Sequence, residues 1–379
     1  VLGGANRVSV SLAGLSKAVR PGDAIFLNDG FIRLKVEQAG ESEVRCRVVV
    51  GGPLRSHKGV NLPGADLGLS AVTDDDRRFL TFALEHGVDA LSVSFVQGPE
   101  DIETVRQVAA TQGHAIFVIA KIERAVAIQR FKAILKATDG IMVARGDLGV
   151  ETPIEEIALL QKNLIHQANL AGKPIITATQ MLESMVQNSR PTRAEVTDVA
   201  NAILDGTDAV MLSEESAVGA HPVEAVDMLT RIARVTEAHR LKFPLRVVVP
   251  GEVSQEISVE ETIVLDVVST VERLQPRLIL TPTQTGATAR RVSRYKLWPW
   301  IVAFSPSEAT CQQLVFSYGV LPVKVEVDGY NWKEIALGWC GQQGITNGLA
   351  VMTQGPSRGG MDGTNRLEVF SLAEIAETI

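Results

Sequence analysis

In the stretch DGIMVARGDLGVETP (139–153), a short apolar run leads directly into Arg145, Gly146 and Asp147. One interpretation is a solvated turn after a strand. The other is that the strand places a carboxylate and backbone N–H groups, left accessible by glycine, in a functional site. N–H groups at the start of a helix bind anions. The segments on either side of this stretch bear on the choice.

The composition of the 379-residue chain, with 45% hydrophobic residues, indicates a globular protein of two or three domains. A net charge of −7 without a basic stripe argues against a nucleic-acid surface. No apolar run approaches the roughly 20 residues of a membrane span. Cys46, Cys311 and Cys340 lie far apart, which argues against zinc and disulfides. We expect a reducing, cytoplasmic location.

Residues 1–63 have the pattern of antiparallel strands. RVSVSL (7–12), AIFLNDGFIRLKV (24–36) and EVRCRVVVGG (43–52) alternate apolar and polar residues and are separated by glycine-containing turns. This pattern predicts a small antiparallel β-barrel. The segment HKGVNLPG (57–64) follows it as an exit from the domain and a hinge.

Residues 64–242 alternate between strands and helices. Five short apolar runs, each followed by a helix, are typical of parallel strands buried on both faces; they are ALSVSF (90–95), IFVIAKIE (116–123), GIMVARGD (140–147), PIITATQ (174–180) and DAVMLSEES (208–216). Predicted helices begin near Thr73, Pro99, Pro153, Pro222 and at Thr192, which forms a T-x-x-E capping box with Glu195.

Two architectures fit this alternation: an open doubly wound sheet and a (β/α)8 TIM barrel. No G-x-G-x-x-G follows a strand, and polar residues follow several different strands, which favours the barrel. Five strands do not close a barrel of eight. We therefore expect three further strands upstream of residue 1, where the chain starts without a methionine. A second α/β unit with its own open sheet is predicted at residues 243–379.

Charged and polar groups end four of the five predicted strands: Lys121 to Glu123, Arg145 to Asp147, Thr177 to Gln180, and Ser213 to Ser216. Two carboxylates from neighbouring strands, Glu123 and Asp147, suit Mg²⁺, which favours one or two protein carboxylates. Beside them, Lys121 would face negative charge that develops on a phosphoryl group or an enolate. Each residue alone fits a structural ion pair, but together they indicate a site.

Several segments, in order and over nearly the whole chain, resemble the pyruvate kinase family: KGVNLPG, IAKIER, GIMVARGDLGVE, KPIITATQMLESM and PTRAEVTDVANAILDGTDAVMLSEESAVGAHPVEAV. The resemblance implies that residues 1–63 form part of a lid domain inserted into the barrel. It makes residues 64–242 the C-terminal five βα units of the catalytic barrel and residues 243–379 a regulatory domain.

The resemblance also implies roles for individual residues. Lys121 would stabilise the transferred phosphoryl group and the enolate of pyruvate. Glu123 and Asp147 would hold Mg²⁺ or Mn²⁺. The backbone N–H groups of Gly146 and Asp147 would bind the carboxylate of phosphoenolpyruvate. We expect Arg145 to pair with a neighbouring acid and not to touch substrate.

Two further roles concern the methylene end of phosphoenolpyruvate and the nucleotide. Thr179 would lie near the methylene carbon, on the route that protonates the enolate. Lys58 would move with the lid towards the phosphates of ADP or ATP. Ligands for K⁺ and further phosphate-binding residues are expected upstream of residue 1, and a chain that began at Val1 is expected to be inactive.

In the C-terminal unit, the segment TPTQTGATAR (281–290) resembles the family's loop for a phosphorylated effector. Its candidate residues are Thr283, Thr285, Gly286 and Thr288, at the start of a helix. An ordinary capped turn is the alternative. The loop at 181–195 matches a family subunit interface, so we expect a homo-oligomer, a tetramer by resemblance.

The predicted function is pyruvate kinase activity in glycolysis, which converts phosphoenolpyruvate and ADP into pyruvate and ATP. Two alternatives remain: a Mg²⁺-dependent lyase acting on phosphoenolpyruvate or pyruvate, and a catalytically silent regulatory subunit. The lid and the C-terminal unit argue against the lyase. Two departures from the family pattern are Arg124, where asparagine is common, and Glu214, where glycine is usual.

Overall fold

The computed structural model describes most of the chain, namely residues 3–4, 6–12, 14–28, 30–64, 70–240, 257–326, 331–355 and 363–373. The chain divides into two compact units that interleave along the sequence. The first comprises residues 1–138, 142–161 and 178–180, and the second comprises residues 139–141, 162–177 and 181–379. The three-domain division at 1–63, 64–242 and 243–379 remains a prediction.

The N-terminal region contains one short helix and four strands: α1 (Leu15–Ala18), β1 (Ala24–Leu27), β2 (Ile32–Ala39), β3 (Val44–Val50) and β4 (Val60–Asn61). The strands form an antiparallel sheet in the order β3-β2-β1-β4. The inward residues of the alternating pattern build its core, with Val19, Ile25, Leu27, Ile32, Val36 and Leu62 buried together. Closure of this sheet into a barrel remains a prediction.

The strand expected at residues 7–12 is wrong. Arg7 makes an isolated bridge with Gly4, and residues 8–12 form no strand. Alternation produces a strand only where a neighbouring strand accepts and donates the backbone hydrogen bonds. Val8, which is 48% exposed, has no such pairing among the described residues.

The central region contains five strands: β5 (Ala90–Val93), β6 (Phe117–Ile122), β7 (Gly140–Ala144), β8 (Ile175–Ala178) and β9 (Ala209–Met211). They form one sheet in chain order, β5-β6-β7-β8-β9, and β5 pairs with β6 in parallel. Every residue of β7 and β8 is buried, as the continuous apolar runs predicted. The α/β class of this region is therefore confirmed.

Helices separate these strands: α2 (Asp74–Glu85), α3 (Pro99–Thr111), α4 (Ala125–Gln129), α5 (Phe131–Ala137), α6 (Arg145–Glu151), α7 (Ile157–Leu170), α8 (Arg193–Asp205), α9 (Glu214–Ala217) and α10 (Pro222–His239). The predicted starts agree with the observed ones at Thr73, Pro99, Thr192 and Pro222. At Pro153 a short 3₁₀ turn precedes α7. Among the described helices, none is long and apolar enough to cross a membrane.

The strand predicted at 140–147 is shorter than expected. β7 ends at Ala144, and α6 begins at Arg145, so Arg145, Gly146 and Asp147 form the first turn of a helix. The apolar run ends at Ala144, and the residues that follow it are arginine, glycine and aspartate. This start places Asp147 near the positive end of the helix.

The C-terminal region is an open α/β sheet, as predicted. Its elements are α11 (Val259–Leu274), β10 (Leu278–Leu280), α12 (Ala287–Ser293), β11 (Trp300–Ser305), α13 (Glu308–Leu314), β12 (Val320–Lys324), α14 (Trp332–Gln342), β13 (Leu349–Gln354) and β14 (Arg366–Ser371). The order is β12-β11-β10-β13-β14, with only β14 antiparallel to its neighbour. Ile279 packs in one core, whereas Leu278 and Leu280 pack in another, so both faces are covered.

The capping box at the start of α8 includes an acid whose charge is stabilised by hydrogen bonds. Burial raises the pKa of Glu195, but bonds from Ser184 and Thr192 outweigh it and hold the pKa below the ordinary 4.5. A carboxylate with a depressed pKa in the folded state stabilises the fold above its unfolded-state pKa. That contribution is lost as pH falls through the folded-state pKa.

We therefore expect Glu195→Gln to lower the free energy of unfolding at pH 7 and to lower it progressively less as pH falls below about 4.5. Urea denaturation across this pH range measures the difference. Glu224→Gln, which replaces an exposed acid in the first turn of α10, is the matched control. A Glu195→Gln effect that is constant with pH would contradict the assignment.

Candidate active site

Lys121 and Glu123 form a largely buried ion pair at the end of β6. The Lys121 Nζ atom lies 2.7 Å from Glu123 Oε1, and the side chains are 24% and 2% exposed. Ile122, between them, is fully buried. The strand alternation predicted this common side for the charged pair. A charged carboxylate with so little exposure requires partners that offset its lost hydration.

The turn after β5 supplies partners that the sequence patterns did not indicate. Lys121 Nζ donates to Ser94 Oγ over 3.0 Å, and the Phe95 N–H donates to Glu123 Oε2 over 2.5 Å. Phe95 has a left-handed backbone with φ 54°. The sequence could have indicated Ser94 as a site residue, because it is a polar residue directly after the buried Val93. Polar residues follow the other strands in the same way.

The first turn of α6 carries the second carboxylate. Asp147 is half-buried, and its Oδ1 accepts a long hydrogen bond of 3.4 Å from Asn61 Nδ2 in β4. Gly30, in the turn between β1 and β2, also approaches α6: a Cβ there would lie 3.3 Å from a methyl group of Val150. The N-terminal sheet thus contacts the helix that carries Asp147.

Thr179 joins α6 to the end of β8. The Gly146 N–H donates to Thr179 Oγ1 over 2.7 Å, and that hydroxyl donates to the Ala178 carbonyl over 2.7 Å. Both Thr179 (φ 69°) and Gln180 (φ 54°) have left-handed backbones, which non-glycine residues rarely adopt. Such strained residues cluster at functional sites. The N–H group predicted to bind a substrate carboxylate is here bonded to the threonine hydroxyl.

Arg145 is a buried side chain that contacts the residues around Thr179. It is 9% exposed and donates from Nη2 to the Thr179 carbonyl over 2.8 Å and from Nη1 to Gln161 Oε1 over 3.3 Å. These two oxygens belong to a carbonyl and an amide, and the expected pairing of Arg145 with an acid remains a prediction. The arginine therefore braces the strained Thr179 backbone.

A third acid lies near Asp147 and was not predicted. Glu151, at the end of α6, is half-buried, and burial raises its pKa. The positive charge of Arg124 opposes this rise, whereas the charge of Asp147 adds to it. Arg124, a departure from the family pattern, therefore faces an acid within the chain.

The donor set can be tested against a divalent metal. Within the part of the chain that the structure describes, no three His, Cys, Asp or Glu residues are grouped as metal ligands. Two hard carboxylates, Glu123 and Asp147, remain, and Mg²⁺ takes one or two such ligands with the rest of its shell from water and substrate. The residues present fit this ion.

Two family models match the chain. "Pyruvate kinase, barrel domain" matches residues 2–226, and "Pyruvate kinase, alpha/beta domain" matches residues 261–370. The chain belongs to the pyruvate kinase family. Its similarity to curated members of the family runs along most of its length.

A pyruvate kinase of Thermococcus litoralis is 47% identical over 96% of this chain and 77% of the relative. One from Thermotoga maritima is 44% identical over 86% of this chain and 69% of the relative. A human pyruvate kinase is 43% identical over 85% of this chain and 56% of the relative. The chain thus spans between about half and three quarters of the length of these pyruvate kinases.

The fourth predicted strand end has a structural role in this pyruvate kinase chain. Glu215, 2% exposed, accepts backbone hydrogen bonds from Leu182 (3.0 Å) and Ser213 (2.8 Å). Its neighbour Glu214 is exposed in the first turn of α9. The carboxylate at Glu214, where the family pattern has glycine, therefore faces solvent.

Lys58 is not joined to the other predicted site residues. It is exposed, and no hydrogen bond or ion pair among the described residues joins it to Lys121, Glu123 or Asp147. The preceding His57 has a left-handed backbone with φ 62°. Its expected role at the nucleotide therefore remains a prediction.

The predicted effector loop is internally bonded. Gly286 has φ 77°, and its N–H donates to Thr283 Oγ1 over 2.9 Å. The hydroxyls of Thr288 and Thr364 lie 2.5 Å apart, and Arg290 donates to the Thr285 carbonyl over 2.7 Å. The left-handed φ of Gly286 would strain any other residue, so the turn favours glycine.

Replacing Arg145 by lysine tests whether it braces Thr179. A lysine cannot reach both oxygens with the planar fork of a guanidinium. We expect Arg145→Lys to reduce the free energy of unfolding by about 1–3 kcal/mol, because it leaves a buried acceptor unsatisfied. Chemical denaturation measures this change, with Arg78→Lys on exposed α2 as the control. Equal stability of the two variants would contradict the role.

Proposed function

We propose that this chain transfers a phosphoryl group between phosphoenolpyruvate and ADP, giving pyruvate and ATP, with the groups gathered after β5, β6, β7 and β8. Family membership makes the chain a phosphotransferase of the pyruvate kinase type. The observation that carries the residue assignment is the buried Lys121–Glu123 pair. A lysine held at low exposure beside a carboxylate supplies fixed positive charge where negative charge develops.

Lys121 is the proposed electrostatic catalyst. Phosphoryl transfer requires positioning and charge neutralisation more than covalent chemistry, so a preorganised ammonium group suffices for this role. In the direction of ATP synthesis, the phosphorus–oxygen bond to the enol oxygen breaks and a bond to the ADP β-phosphate oxygen forms. Lys121 would stabilise first the transferring group and then the enolate left behind.

Glu123 and Asp147 are the proposed ligands of Mg²⁺ or Mn²⁺. When bound, the metal would neutralise charge on the phosphoryl and enolate oxygens. Two observations support the assignment: Glu123 is buried, and Asp147 lies in the first turn of α6 with one long hydrogen bond. No step of the proposal depends on K⁺, whose ligands were expected outside this chain.

The start of α6 is the proposed carboxylate-binding site, through the N–H groups of Gly146 and Asp147. The Gly146 N–H is bonded to Thr179 Oγ1, so a substrate carboxylate oxygen would replace the hydroxyl as its acceptor. The Thr179 hydroxyl would then lose its hydrogen bond to the Gly146 N–H and lie next to the substrate. This exchange supports the proposed role of Thr179 in delivering a proton to the methylene carbon of the enolate.

The finer architecture and partners are also proposals. We infer that residues 64–242 are the C-terminal five βα units of a (β/α)8 barrel. Residues 1–63 are part of a lid that carries Lys58 to the nucleotide, and residues 243–379 are a regulatory unit. The contact of Asn61 with Asp147 supports the lid, because it links β4 to the proposed metal site. A phosphorylated effector at Thr283, Thr285, Gly286 and Thr288, a homotetramer and a cytoplasmic location complete the proposal.

Replacing Asp147 tests the metal assignment. In a coupled assay of the complete protein with phosphoenolpyruvate, ADP, Mg²⁺ and K⁺, we expect Asp147→Ala to lower kcat/KM by about a thousandfold or more. The melting temperature should change little, since the side chain is only half-buried. Asp75→Ala, also in the first turn of a helix and exposed, is the matched control. Near-normal turnover by folded Asp147→Ala would refute the assignment.

The same assay separates the remaining alternatives. Pyruvate and ATP formed in equal amounts, with no pyruvate in the absence of ADP, support the kinase. Release of a pyruvate-type product without ADP would support the lyase instead. No turnover by the complete protein would support the silent subunit and overturn the proposal.

A further inference from the structure

The turn after β5 contacts both members of the proposed catalytic pair. Ser94 Oγ accepts from Lys121 Nζ, and the Phe95 N–H donates to the second oxygen of Glu123. Ser94 and Phe95 are adjacent in the chain but serve opposite charges. The Ser94 side chain faces the lysine, and the backbone N–H of the next residue faces the carboxylate.

The hydrogen bonds of Lys121 assign a distinct task to Ser94. An ammonium group has three donor protons and no acceptor. One proton of Lys121 is directed at Glu123 Oε1 and a second at Ser94 Oγ. Among the described residues no acceptor is seen for the third proton, which is therefore the one to meet a substrate oxygen. With two directions fixed, the third direction is fixed as well, which is preorganisation at the developing charge.

Ser94 differs from Glu123 because it is neutral. A hydroxyl orients the ammonium group without cancelling its positive charge, whereas a carboxylate orients it and reduces the field that a substrate experiences. Glu123 is also the proposed metal ligand, so its electron pairs are shared between two cations. Ser94 is the partner of Lys121 that no other proposed task requires.

Strain in the turn supports a functional role. A left-handed backbone is strained for a non-glycine residue and persists where the surroundings hold it. Phe95 is 47% exposed, so its burial does not explain the conformation. The strained residue lies directly beside the buried pair, and such residues cluster at functional sites.

Given the proposed function, we propose that Ser94 is the positioning residue of Lys121: its hydroxyl directs the lysine ammonium towards the transferred phosphoryl group. Its effect should therefore appear in kcat and not in the KM for ADP. The hydroxyl should be the only part of the side chain that matters.

The kinetic test compares Ser94→Thr with Ser94→Val, two side chains of equal shape of which only threonine keeps the hydroxyl. We expect Ser94→Val and Ser94→Ala to lower kcat by about tenfold to a hundredfold, the usual effect of one hydrogen bond to a charged group. Ser94→Thr should retain most of the activity. Ser92→Ala, an exposed serine of β5, should match the wild type.

A structural test does not depend on activity. In crystals of the metal-free complete protein, we expect Lys121 Nζ within hydrogen-bond distance of the residue 94 hydroxyl in the wild type and Ser94→Thr. In Ser94→Val it should leave that position. Melting temperatures within a few degrees of the wild type would exclude a general loss of structure.

Two results would overturn the inference: equal kcat for the threonine and valine variants, or an unmoved Lys121 in Ser94→Val. Failure of the proposed function is a separate outcome. It is recognised by the absence of ADP-dependent turnover in the wild type, and in that case the crystals still decide whether Ser94 positions Lys121.

Discussion

The site depends on the burial of Glu123, whose side chain is 2% exposed beside Lys121. A carboxylate removed from water is tolerated only when cations and hydrogen-bond donors replace the water. Here, Lys121 faces one oxygen and the Phe95 N–H faces the other. This requirement explains why both the lysine and the turn after β5 lie against Glu123. It also makes the pair sensitive to changes in either partner, because removing one leaves a buried uncompensated charge.

A second network of the same kind holds the start of α6 against the end of β8. Arg145 supports the Thr179 carbonyl, and the Thr179 hydroxyl accepts from the Gly146 N–H. Two consecutive left-handed residues, Thr179 and Gln180, persist within these contacts. Of these two, Thr179 carries the hydroxyl that is proposed to give up the Gly146 N–H when a substrate carboxylate arrives. A polar network whose donors and acceptors bond to one another without substrate can hold a single conformation before substrate binds.

The sequence predicted elements best where one physical signal dominated. Continuous apolar runs located β7 and β8, and the T-x-x-E pattern located the start of α8, because burial and capping are local to those residues. The strand expected at 7–12 failed because pairing depends on a distant partner. The helical start at Arg145 was missed because the apolar run continued straight into charged residues.

The site was only partly accessible from sequence for a related reason. Lys121 and Glu123 could be paired through strand alternation, a property of one segment. The roles of Ser94, Phe95 and Glu151 depend on contacts between segments and on a positive φ, which no local pattern of non-glycine residues indicates. The family resemblance identified which residues carry the chemistry, and the structure added how neighbouring groups hold them.

The proposed chemistry requires Glu123 and Asp147 to hold the divalent metal together. Crystals of the complete protein grown with Mn²⁺ test this directly, because anomalous scattering locates the ion without reference to activity. We predict one strong peak at about 2.0–2.3 Å from an oxygen of each carboxylate. A peak bound elsewhere, or one that touches neither Glu123 nor Asp147, would contradict the shared metal site.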